Sequence, residues 1–419
     1  MKTFGPSMLP LLRNGDVVFF KKTRFYAIQA NDIITVKKGD IFFTHRVIYK
    51  AEKYLVTKGD NNTLSDGKIS PKQVYGLVIK VKRKNNYINI NHIYLYQSSQ
   101  YLKEIIAISN AFQKDSIPFV FLKGLPYYLY YFKDYPKRLF SDCDILVGEN
   151  DINQAEKLLC KLGYKPEPTQ VYNQFKFLDK NLKEKNYYKF VNKTFPIVID
   201  LHRTVTLSTS KAYSPINILN AAEKRLVDLF FANIKMIRFA GTKIPLLKNE
   251  HLILYLAMHL HKENFSLAHN LDFIQKIVKK IPIDWKEVLS LSTKEKVQNF
   301  IIPTFYILHR YACINYPYRF FQKNIPRATS YSVNVFTLLY TEQDVFDMRT
   351  SSLKRFKKAF TIFLFMDVNI FQKLYSFLNR NLVLHLIHFS LYASKQYTKN
   401  ISLISFLRGQ KSLRSIHSK

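Results

Sequence analysis

Hydrophobic positions along the first 90 residues come in short runs of β-branched and aromatic side chains, broken by Gly, Asn and Asp turns. Val17-Val18-Phe19-Phe20, Asp32-Ile33-Ile34-Thr35-Val36, Ile41 to Ile48, Tyr54-Leu55-Val56-Thr57 and Val74 to Val81 each have the length and residue types of a strand. The pattern predicts a compact all-β unit over residues 1–90, with the basic run Lys80-Val81-Lys82-Arg83-Lys84-Asn85-Asn86 as its boundary. From about residue 98 the period lengthens. Tyr101 to Lys114 repeats apolar residues at helical spacing, Phe119-Val120-Phe121-Leu122 reads as a short strand, and Leu125 to Tyr131 as a helix after a Gly turn. Asp144 to Val147 and Ile197 to Leu201 read as further strands, and Ile152 to Leu162 as a helix that Gly163 stops. Beyond about residue 215 the chain reads as mostly helical. The expected fold class is α+β multidomain: an all-β domain (1–90), a mixed α/β domain (98–290) and a helical C-terminal region (291–419).

Composition narrows this further. Hydrophobic residues at 47% and aromatics at 15% are enough for packed cores and exclude a wholly disordered chain. Against 30 Asp and Glu stand 64 Lys and Arg, a net charge of +34. Such a surplus favours a polyanionic neighbour: nucleotide phosphates, an acidic membrane surface or a nucleic acid. The cations are scattered rather than gathered into a tail, so nucleic acid ranks below the others. Cys143, Cys160 and Cys313 show no CxxC spacing, hence neither a disulfide framework nor a zinc site, and a reducing, cytoplasmic setting fits. The start of the chain carries a Gly/Pro/Ser turn instead of an apolar segment. The uncharged apolar run Asn381 to Ser394 is shorter than the ~20 residues of a bilayer span. Neither a cleavable signal nor a transmembrane helix is expected.

Two constellations carry candidate chemistry. The first opens the chain: Gly5-Pro6-Ser7-Met8-Leu9-Pro10, then Asn14-Gly15-Asp16-Val17-Val18, Thr44-His45-Arg46-Val47-Ile48 and Lys58-Gly59-Asp60-Asn61-Asn62, with Asp66 beyond. Prolines on both sides of Ser7-Met8 stiffen the backbone and can hold the hydroxyl exposed. A serine needs a base to act as a nucleophile, a neutral imidazole suits that task, and a carboxylate can orient the imidazole. In this order the motifs resemble type I signal peptidases, in the branch of the endoplasmic reticulum, archaea and some sporulating bacteria, where Ser works with His. The resemblance implies a serine endopeptidase acting on a peptide or protein substrate, with Ser7 as nucleophile, His45 as general base, and Asp66 ahead of Asp60 as the orienting acid. Signal peptidases carry a membrane anchor before the serine, whereas six residues precede Ser7 here. The expectation is therefore a soluble substrate, or a catalytic fold kept for another role.

The second constellation runs from Phe121-Leu122-Lys123-Gly124 through Arg138-Leu139-Phe140-Ser141-Asp142-Cys143-Asp144-Ile145-Leu146-Val147 to Ile197-Val198-Ile199-Asp200-Leu201-His202. On a strand Asp142 and Asp144 point to one face, and two adjacent carboxylates repel unless a cation stands between them. Mg²⁺ takes carboxylate oxygens together with substrate phosphates. These residues, with the helical stretch His251 to His261 and Leu271-Asp272, resemble the poorly characterised bacterial branch of the DNA polymerase β-like nucleotidyltransferases, over roughly residues 100–280. The resemblance implies Mg²⁺ as cofactor, a nucleoside triphosphate as substrate, Asp142, Asp144 and Asp200 as metal ligands, Lys123 and Gly124 as the phosphate-side turn, and Arg138 as a phosphate contact. Leu125 departs from it, because many active relatives place there a Ser that binds the triphosphate.

His259 and His261 are two apart on a helix, hence on nearly opposite faces, and read as buried or partner-bonded rather than as a metal pair. Lys354-Arg355-Phe356-Lys357-Lys358 before Ala359 to Met366 reads either as a core helix with a solvated basic end or as an interfacial helix on an acidic membrane, the first ahead of the second. The sequence therefore points to a fused peptidase and nucleotidyltransferase, used for maturation of a peptide or natural product. Two rivals stand beside it: a non-catalytic nucleic-acid-binding or scaffold protein, and a membrane-peripheral peptidase whose nucleotidyltransferase domain is inactive.

Overall fold

The computed structural model describes residues 1–167, 184–191, 195–205, 217–263, 265, 271–347, 352–365 and 371. The apolar run Asn381 to Ser394 lies outside them.

The first sheet contains β1 (Val17–Lys21), β2 (Ile33–Lys38), β3 (Ile41–Lys50), β4 (Leu55–Lys58), β5 (Lys68–Ile69), β6 (Val74–Arg83) and β7 (Asn86–Ile88). Its order is β1-β6-β2-β3-β4-β5, with β7 on β6 and every pairing antiparallel. The basic run at 80–86 is no boundary: it is the β6–β7 hairpin, in which Val81 is buried between outward lysines and Lys84 turns the chain at φ 53°. One small core gathers Met8, Leu11, Val18, Ile33, Val78 and Val81; a second gathers Ile34, Val36, Val47, Leu55 and Ile69.

Helix α1 (Ile90–Lys114) follows almost at once. It starts at Ile90 rather than Tyr101 because the Asn89 side chain accepts from the Asn91 N–H and caps the exposed amides. Then come β8 (Phe119–Phe121), α2 (Leu125–Tyr127), β9 (Cys143–Val147), α3 (Ile152–Lys161), β10 (Lys165–Pro166), β11 (Glu184–Val191), β12 (Phe195–His202), α4 (Asn217–Ala232), β13 (Ile234–Phe239) and β14 (Thr242–Leu247). The second sheet runs β10-β11-β12-β9-β8-β14-β13, parallel at β12–β9 and at β14–β8. β13 and β14 add a hairpin to the mostly helical stretch after 215. The left-handed pair Ala240-Gly241, at φ 47° and 81°, turns them into a hairpin.

Helices complete the molecule: α5 (Asn249–Lys262), α6 (Leu271–Lys280), α7 (Trp285–Lys294), α8 (Gln298–Ala312), α9 (Tyr318–Asn324), α10 (Arg327–Leu339), α11 (Glu342–Phe346) and α12 (Ser352–Phe365). The largest apolar core reaches from α12 through both faces of the second sheet to Ile48, Tyr49 and Val56 of the first. The Tyr49 ring lies 5.1 Å from that of Phe346. The β-rich part is thus welded to the rest by a continuous core. On α12, Lys354 Nζ donates to the carbonyls of Asp344 and Asp347, and Lys357 Nζ reaches the Asp344 carboxylate at 2.8 Å. These two cations face inward, which corrects the expectation that the basic end of this helix is solvated. Among the described residues no helix is long and apolar enough to cross a membrane.

Candidate active sites

Ser7, His45 and Asp66 converge. Ser7 Oγ is 3.0 Å from His45 Nε2, and His45 Nδ1 is 2.7 Å from Asp66 Oδ2. The carboxylate can only accept, so the imidazole proton sits on Nδ1 and leaves Nε2 to accept from the serine hydroxyl. Three local features build this arrangement. His45 sits in the middle of β3 and is 7% exposed. Asp66 is fixed by its own N–H on the Thr57 carbonyl (2.8 Å) and by the Thr57 hydroxyl on Asp66 Oδ2 (2.8 Å). The turn at 58–62 packs under Ser7: the Asn61 N–H donates to the Ser7 carbonyl at 2.7 Å, and a Cβ on Gly59 would meet that same carbonyl oxygen at 2.6 Å. Only glycine permits this approach. Asp60, the second-ranked orienting acid, is turned away from His45 and takes a bidentate pair from Arg46 at 2.6 and 2.7 Å.

The second cluster lies where β9 and β12 run parallel, with Asp200 directly opposite Asp144. Asp142 precedes β9 and faces Lys123; the ligand atoms that come together are those of Asp144, Asp200 and His202, so the expected ligand Asp142 is not among them. Lys123 Nζ stands 2.6 Å from Asp144 Oδ2 and 3.4 Å from Asp142 Oδ1. Thus the Lys123 ammonium is turned to the two carboxylates. Asp200 and His202 are two apart on β12 and share a face. His202 Nε2 is 3.2 Å from Asp144 Oδ1 and 3.4 Å from Asp200 Oδ2, and its Nδ1 is 3.5 Å from Glu184 on β11. Lys262, at the end of α5, pairs with Glu184 in turn.

Charge compensation orders the protonation here. Burial would raise the Asp144 carboxyl, but Lys123 and His202 outweigh it and hold it well below the carboxylate range. Burial would lower His202, yet Asp200 and Asp144 push it up to about 10. Asp200 is pushed up to about 6 by burial, partly opposed by His202.

Gly124 lies at φ 93°, ψ −147°, a conformation open to glycine alone, and turns the chain from β8 into α2. Leu125 is 2% exposed in the core, so the position after Gly124 presents no hydroxyl. The Arg138 guanidinium lies 5.6 Å over the Phe140 ring and beside the Tyr128 hydroxyl. Sequence reasoning did not single out Glu184, Lys262, Thr57 or Tyr255, whose buried hydroxyl has no hydrogen-bond partner. The run Asp-Leu-His carried the one visible signal for His202.

Ligand atoms of Asp144, Asp200 and His202 lie within 4.8 Å of one another, and Asp200 Oδ1 is buried without a hydrogen-bond partner. Two carboxylates, one oxygen still unsatisfied, and an imidazole that gives up its proton on ligation fit a divalent cation.

The model of a family described as an uncharacterised nucleotidyltransferase matches residues 90–312, slightly more than half of the chain. The matched span contains Lys123, Gly124, Arg138, Asp142, Asp144 and Asp200, and it begins after Ser7, His45 and Asp66. No curated protein matches the chain.

Proposed function

Since the chain belongs to the uncharacterised nucleotidyltransferase family, we propose that it is a two-centre protein in which that module binds a nucleoside triphosphate and transfers a nucleotidyl group, while the N-terminal module is a serine endopeptidase. The observation that carries the peptidase half is the Ser7–His45–Asp66 chain of contacts at 3.0 and 2.7 Å, drawn from three separate segments. In this reading His45 Nε2 accepts the Ser7 proton as Ser7 Oγ attacks a peptide carbonyl. The same proton passes to the leaving amine, and water then releases the acyl group from Ser7 with His45 again as base. Asp66 holds the ring in the required tautomer and stabilises its charged form.

In the second centre, Asp144 and Asp200 with His202 would hold a divalent ion, which when bound neutralises phosphate charge and aligns the reacting oxygens. Lys123 keeps Asp142 and Asp144 together until phosphates compete for its ammonium, and Gly124 lets the backbone approach them. The two activities together suit maturation of a peptide or small product, one centre trimming and the other nucleotidylating.

A serine-reactive fluorophosphonate probe tests the first half. The parent protein is expected to label, and Ser7→Ala and His45→Ala to lose labelling. Equal labelling of all three proteins removes the peptidase. A second reading, in which the nucleotidyltransferase module binds nucleotide without transfer, draws on Leu125 and on the internal cations Lys123 and His202. Release of pyrophosphate from Mg·ATP, absent in Asp144→Asn, separates the two.

A further inference from the structure

On a strand adjacent residues face opposite ways, so with His45 turned to Ser7, Arg46 turns inward. Arg46 is 5% exposed, and its guanidinium joins four segments. Nε and Nη2 hold Asp60, whose turn supports the Ser7 carbonyl. Nη1 donates at 3.0 Å to the Asn31 carbonyl, to the Tyr94 hydroxyl on α1 and to the Lys137 carbonyl, in the segment that leads to Asp142. Tyr94 and Lys137 both belong to the nucleotidyltransferase module. The far end of the triad is held in the same manner. Ser65, next to Asp66, donates its N–H and its hydroxyl to Asp347 Oδ1, each at 2.8 Å. Asp347 follows α11 and is buried.

We propose that Arg46 and Asp347 are positioning residues through which the rest of the chain completes the Ser7–His45–Asp66 arrangement, so that the N-terminal module does not form this centre alone. One clamp acts on the histidine strand and the Ser7 support, and the other on the loop of the orienting acid. Each uses charge-assisted hydrogen bonds in a buried setting, where geometry is held most stiffly. Displacement of catalytic groups by about 1 Å costs on the order of a hundred-fold in rate. The inference rests on the peptidase reading for its rate consequence and on the geometry alone for its structural one.

The test uses the full chain with Arg46→Lys, Tyr94→Phe and Asp347→Ala. Tyr94→Phe keeps the Arg46–Asp60 pair and removes only the hydroxyl, so it guards against loss of fold. The first readout is the downfield proton resonance of His45 Nδ1, assigned by its absence in His45→Gln. The second is the rate of Ser7 labelling by the fluorophosphonate. In all three variants the resonance is expected to move or broaden and labelling to slow roughly ten- to hundred-fold, least in Tyr94→Phe. An unchanged resonance and rate in Tyr94→Phe and Asp347→Ala overturns the proposal. A parent without a His45-dependent resonance overturns it too, because the bond to be held is then missing. A parent that never labels, yet whose resonance moves in the variants, upholds the clamps and removes the peptidase reading.

Discussion

Single side chains decide what each centre can do. Lys123 is the clearest case, because its ammonium stands between Asp142 and Asp144, and Asp144 is also one of the three groups that would hold a divalent ion. Removing one partner of a buried pair costs about 3–5 kcal/mol. Lys123→Met is therefore expected to lower the melting temperature in the presence of a chelator, and MnCl₂ to restore more stability to the variant than it adds to the parent. An equal response of both proteins to Mn²⁺ shows that the ammonium does not stand in the ion's place. Ser7, His45 and Asp66 were legible as residue types because stiff prolines, a strand and a Gly turn announce themselves locally. The partner of Lys123 was not, since a lysine after a strand carries no sign of where its ammonium ends. Asp60 shows the same limit: the sequence placed it near the triad, and only the fold turned it to Arg46.

Helix α5 carries the consequence at the scale of the element. His259 and His261 face different surroundings, as their spacing predicts: His259 stacks on Tyr255 at 5.6 Å, and His261 packs 5.1 Å from Phe300. Burial, with Lys358 nearby, pushes His261 down to about 3, and burial beside Lys248 pushes His251 down to about 4. In the unfolded chain both titrate near roughly 6.5. The folded state thus binds fewer protons below that value, and the stability these residues give is complete above about 6.5 and lost as pH falls towards 4 and 3. Melting temperature measured against pH is expected to fall on acidification, and less steeply in His261→Gln. Identical slopes would assign the acid sensitivity to other groups. Five strands of the first sheet were readable as β-branched and aromatic runs between turns, while β5 and β7, two and three residues long, were too short to stand out. The hairpin β13–β14 was missed because a short strand pair between long helices adds little periodic signal, and its Ala240-Gly241 turn was the only mark.

Over the whole molecule, the three expected domains share packing. One apolar core includes Ile48 and Tyr49 of the first sheet and Phe365 of α12. Asn31 of the β-rich part reaches Asp272 on α6 at 2.7 Å. Scanning calorimetry is expected to show one cooperative transition, with probes in the first sheet and in α8 melting together; two resolved transitions would mean that the core divides. Buried pairs such as Lys262 with Glu184 and Lys357 with Asp344 take a cation and an acid inward together, so they leave the net charge of +34 unchanged.

The contact from Ser65 to Asp347 spans 282 residues, and a ribosome reads the chain in one direction. At about 5–20 residues per second, roughly 15–60 s separate the emergence of the two partners. Throughout that interval the nascent N-terminus holds a serine and a histidine whose acid loop has no clasp. In the proposed reading, the serine is made early and Asp347, which holds the acid loop, emerges well after it, a delay written into the order of the chain.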